Sequence, residues 1–100
     1  MRNFTKVVNI KGTAGERAPG GQSWIDFWRE NCASVGRFDE TCCRVGCENP
    51  AEHGAHVRQY GAGILLQFYE FIVPLCAGCN NPENTDVFEV SRSYLVTVPS

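Results

Sequence analysis

The rhythm of apolar and polar positions changes several times along the chain, and each rhythm predicts an element. Lys6-Val7-Val8-Asn9-Ile10 is a short β-branched run that predicts a first strand over 6–10. The next ten residues, 12–21, hold four glycines and a proline, which predicts a long loop. Ser23 then opens a helix. Its hydroxyl can cap the first turn, Asp26 follows three residues later, and Trp24, Phe27 and Trp28 recur at helical spacing. Extended pattern returns over 55–60 and 67–75, with Gly61 and Gly63 between them, which predicts a β-hairpin. Phe68, Tyr69, Phe71, Ile72 and Val73 make its second strand nearly continuously apolar, as in a strand covered on both faces, and Pro74 is expected to end its pairing. Two further strands are expected over 86–90 and 94–98, paired across Ser91, Arg92 and Ser93. Between them and the hairpin, Asn80-Asn81-Pro82 can start only a short helix. The sum is an α+β fold in a single domain, 1–100.

The tryptophan stripe has two uses. Aromatic rings on one helical face can stack on bases, but in a small domain their ordinary task is to bury area, and the core reading is preferred. Gly12-Thr13-Ala14-Gly15 resembles a phosphate-cradling loop only in its glycines, because no Gly-Lys-Ser or Gly-Lys-Thr follows.

Composition narrows the class. With 43% hydrophobic and 20% charged residues and a formal net charge of −2, the chain belongs with ordinary globular domains. Nine basic residues are scattered and form no polybasic tail, so binding driven by phosphate neutralisation alone is disfavoured. A domain of this length buries only about two-thirds of its unfolded surface, so a covalent or metal staple would matter. No apolar run of signal-peptide length occupies 1–11, and no segment reaches the roughly 18 apolar residues of a membrane span. The simplest expectation is a cytoplasmic protein without a membrane partner.

Cysteine usage changes the picture most. Six cysteines in a reducing compartment favour metal or redox chemistry over three disulfides, although a small secreted disulfide scaffold would also have an even count. Four of them form two short pairs. Cys76-Ala77-Gly78-Cys79 has unambiguous zinc-ligand spacing, whereas Cys47 can pair with Cys42 at a spacing of four or with Cys43 at three. A C-x-x-C can also be a redox motif, but that use requires a βαβ setting, and none is evident. Cys32 stands alone at the helix end and reads as a small buried hydrophobe.

The order of cysteine knuckle, hairpin and second cysteine pair is that of a treble-clef zinc finger. Within it, Gly54-Ala55-His56-Val57 and Ile72-Val73-Pro74-Leu75-Cys76-Ala77-Gly78-Cys79-Asn80 resemble the zinc-containing HNH, or His-Me finger, family over about 42–90. Glycine immediately before Cys47 resembles that family's four-residue-spaced first knuckle and favours Cys42 over Cys43. The resemblance implies a structural zinc on Cys42, Cys47, Cys76 and Cys79. It also implies a separate Mg²⁺ or Mn²⁺ beside His56, which would act as general base in a metal-dependent endonuclease. This chain departs from the active pattern. No asparagine lies between His56 and Cys76, and Ala55 stands where many active members carry a metal ligand. His53 would have to serve as a second-metal ligand, Asn80 or Asn84 as the third triad member, and Glu83 or Asp86 as the carboxylate that Mg²⁺ commonly takes. The favoured expectation is an incomplete catalytic set in a module that binds nucleic acid or a protein partner. The endonuclease is the alternative.

Overall fold

The computed structural model describes residues 3–10, 17–33, 38–61, 69–81 and 86–98. It is an α+β fold built on one antiparallel sheet. Strands β1 (Phe4–Asn9), β2 (His53–Gln59), β3 (Phe71–Leu75), β4 (Phe88–Ser91) and β5 (Val96–Thr97) lie in the order β4-β1-β2-β3-β5. One helix, α1 (Trp24–Asn31), crosses β2 and β3. It starts as its sequence predicts, with the backbone N–H of Asp26 donating to Ser23 Oγ at 3.3 Å. No helix among the described residues is long and apolar enough to cross a membrane.

The expected pairing of the last two strands is not observed. β4 pairs with β1 and β5 with β3, on opposite edges of the sheet. Ser91-Arg92-Ser93 offers none of the residues that readily take the positive φ of a tight hairpin turn. The chain instead makes a 3-10 turn over Arg92–Tyr94, with Ser91 Oγ accepting from the Ser93 N–H at 3.4 Å. This connection dictates the shape of the sheet. Four inter-strand spacings in a flat sheet would separate β4 from β5 by about 19 Å. Five Cα steps from Ser91 to Val96 span at most about 17 Å, and less through a 3-10 turn. The sheet must therefore curl until its edges approach.

The seam between those edges is filled by the segment around Cys43. Cys43 N–H donates to Pro74 O on β3, and Val45 N–H donates to Glu89 O on β4, both at 2.9 Å. Pro74 does not end its strand as expected but sits inside β3 opposite Gly54. A residue's N–H and C=O leave a strand on the same side, so the missing proline N–H faces the seam and the pairing with β2 is unaffected.

One sheet separates two cores. Val7, Ala55, Val57, Val73, Leu75, Phe88 and Val90 point into the curl, together with four of the cysteines. Ile72 and Val96 point outward and join Phe27, Trp28 and Ala18 under α1. The tryptophan stripe is thus core: Trp28 is buried, its indole N–H donates to Tyr94 O at 2.7 Å, and its ring stacks on Tyr94. Helix and sheet backbones come close together at Gly54. A methyl group there would overlap the Trp24 carbonyl and lie 2.5 Å from the Ile25 nitrogen.

Candidate metal centre

Two short turns bring four sulfurs together. The first carries Cys42 and Cys47 on a small hairpin, held by Cys42 N–H to Asn49 O at 2.9 Å and Ala51 N–H to Glu40 O at 2.8 Å. Its tip is the turn Arg44-Val45-Gly46-Cys47, in which Cys47 N–H donates to Arg44 O at 3.0 Å. Gly46 occupies the third position with φ +88°, a conformation that costs any residue with a Cβ. The second turn leaves the end of β3 directly. Cys79 N–H donates to Cys76 Sγ at 3.4 Å and Asn80 N–H to Cys76 O at 3.0 Å.

The ligand atoms of Cys42, Cys47, Cys76 and Cys79 all lie within 4.8 Å of one another, and this group can hold a metal ion. Cys47 Sγ is 3.8 Å from Cys76 Sγ and 3.9 Å from Cys79 Sγ, far longer than a disulfide bond, and these cysteines form no disulfide. Cys42, not Cys43, belongs to the group. Cys43 packs in the same inner core, but its sulfur is not among the four that converge. Cys32 lies elsewhere, its thiol donating to Ser93 O at 3.2 Å.

The electrostatics suit a cation. Burial pushes Cys42 up to about 12 and also raises Cys79. Cys76 is penalised by burial too, but the Cys79 N–H and the thiols of Cys79, Cys47 and Cys42 outweigh that and bring it down to about 7. Cys76 is thus shifted toward the thiolate, while Cys42 and Cys79 are shifted toward the protonated thiol. A cation entering the group replaces those protons, so binding should strengthen as pH rises.

Two asparagines brace the centre and were missed by reasoning from spacing. Asn9 Nδ2 donates across the sheet to Cys79 O at 2.8 Å, and Asn49 Nδ2 reaches Cys76 Sγ at 3.9 Å. A signal existed for Asn9, because it shares the inward face of β1 with Val7, and a polar side chain on a core face needs a partner.

The two histidines do not come together. Three residues apart on β2, they fall on opposite faces of the sheet. His53 is exposed, whereas His56 is 4% exposed and lies edge-on to the Trp24 ring, with centroids 4.6 Å apart. His53 therefore cannot share a second metal with His56 in this arrangement. Asp86 is exposed and 3.9 Å from Arg44. Asn84, Glu83 and any helix through Pro82 lie outside the described residues.

No protein-family model, no curated protein and no solved structure matches the chain.

Proposed function

We propose that the protein is a zinc-stapled module that binds a macromolecular partner and carries out no hydrolysis. One observation carries the reading: four thiols converge on a single point and three of them are buried. Four thiolates at about 2.3 Å from zinc stand roughly 3.8 Å apart along each tetrahedral edge. Two of the six sulfur separations, at 3.8 and 3.9 Å, agree with that edge, and all lie within 4.8 Å. A set closed by four protein ligands leaves no open position for substrate or water, which is the character of a structural site. The order of knuckle, β2–β3 hairpin and second turn supports the treble-clef reading, and Ala55-His56-Val57 on β2 supports the likeness to HNH proteins.

A nuclease would need an imidazole within reach of a phosphodiester and a metal site with oxygen ligands beside it. His56 is packed beneath Trp24, and His53 is on the other face of the strand. These placements favour the binding module over the endonuclease.

Native mass spectrometry combined with plasmid nicking tests the reading. One zinc per chain, with background cutting in Mg²⁺ or Mn²⁺ by both wild type and His56→Ala, is expected. Nicking by wild type that His56→Ala abolishes would establish the nuclease instead, and a chain that carries no metal would remove the staple.

A further inference from the structure

Among the described residues, the outward face of the curled sheet is covered only in part. α1 lies over β2 and β3, and Gly54, His56 and Ile72 are beneath it. Toward β4 and β1 the same face carries two rings in solvent, Phe4 at 40% and Tyr60 at 57% exposure. Strand register places them with two cations. Tyr60 N–H donates to Lys6 O at 2.8 Å, so Tyr60 lies across from Lys6, and Phe4 is two residues along β1 on the same face. Arg58 lies two residues along β2 from Tyr60, opposite Val8. Rings and cations therefore alternate on neighbouring strands, with the two rings as diagonal neighbours about 7 Å apart. Both cations are exposed. A carboxylate lies across from each cation: Glu89 is opposite Lys6, and Glu70, one residue beyond the Val57–Phe71 pair, falls opposite Arg58.

We propose that this face of β4-β1-β2 is a platform for single-stranded nucleic acid, in which Phe4 and Tyr60 stack on successive bases and Lys6 and Arg58 contact the phosphates between them. The inference rests on the binding-module reading and names its partner and surface. Charge decides between nucleic-acid forms. A net charge of −2 gives no field to hold a duplex through its phosphates, and a duplex hides the faces of its bases. An unpaired strand presents every base face, and stacking tolerates any sequence. Two cations beside two rings suit an occupant that is anionic along its backbone and aromatic at regular intervals.

Fluorescence anisotropy on the zinc-loaded protein tests the proposal, using a labelled ten-nucleotide oligothymidine, a single-stranded RNA of equal length and a duplex. Wild type should prefer both single strands. Phe4→Ala and Tyr60→Ala should each weaken binding about tenfold, with unchanged metal content and circular dichroism. Lys6→Gln with Arg58→Gln should flatten the dependence of log affinity on log salt by about 1.4, as expected for two phosphate contacts on a single strand. A folded, metal-bearing wild type that binds no single strand, binds duplex equally well, or binds unchanged after loss of both rings would overturn the platform and leave the staple intact. Self-association that Tyr60→Ala abolishes would assign the face to a second copy of the chain. Absence of metal would overturn the staple itself, which separates the two failures.

Discussion

At the scale of single residues, Gly54 shows how much one missing Cβ can determine. Its hydrogen is the only side group that lets the first turn of α1 rest on β2. Gly54→Ala should cost about 3 kcal/mol, read as a drop in the midpoint of urea unfolding, because the obstacle is helix backbone and cannot rotate aside. Tyr94 gives a second prediction. Burial raises its phenol above the ordinary value of 10.0, with further contributions from the nearby Cys43, Asp39 and Cys32. A group whose folded pKa is raised stabilises fully below its unfolded pKa and loses that contribution as pH climbs through the folded one. Wild type should therefore lose stability above about pH 10 more steeply than Tyr94→Phe, in urea titrations at successive pH values. The local signals at Ser23 and the tryptophan stripe were legible because cap and period are written within a few neighbouring residues. Those at Gly54 and Asn9 were not, since each acts on a partner far along the chain.

Elements were legible where their pairing is local. The β2–β3 hairpin was anticipated over 55–60 and 67–75 and is found at His53–Gln59 and Phe71–Leu75, with Tyr69 and Glu70 outside the strand and 67–68 outside the described residues. Strands β4 and β5 were foreseen close to their places but with the wrong neighbours. Nothing in Ser91-Arg92-Ser93 announces that the flanking strands part to opposite edges, because their partners in β1 and β3 are remote in sequence. The two cysteine turns were the reverse case: spacing identified each pair but left Cys42 and Cys43 open, and the family resemblance carried by the glycine before Cys47 favoured Cys42. Element integrity should follow that difference. Cys79→Ser should remove bound metal and most of the cooperative near-UV circular dichroism signal. Cys32→Ser, which loses only a thiol contact to Ser93 O, should keep both.

For the whole molecule, the four-cysteine group and the seam are one device. The segment that carries Cys42 also donates N–H groups to β3 and β4, so releasing it opens the inner core along its length. A structural zinc contributes on the order of 10 kcal/mol, comparable to the total stability of a small domain. Chelation should therefore unfold the protein in a single transition, followed by far-UV circular dichroism during titration with a strong zinc chelator. Retention of native sheet signal without metal would show that apolar burial suffices by itself. The 3-10 turn at Arg92–Tyr94 adds a kinetic counterpart. Strands tethered so closely at opposite margins cannot settle independently, since placing either fixes the curvature the other requires. Amide exchange in Phe88–Ser91 and in Val96–Thr97 should accordingly proceed at matching rates, with these outermost strands opening together and not fraying in turn.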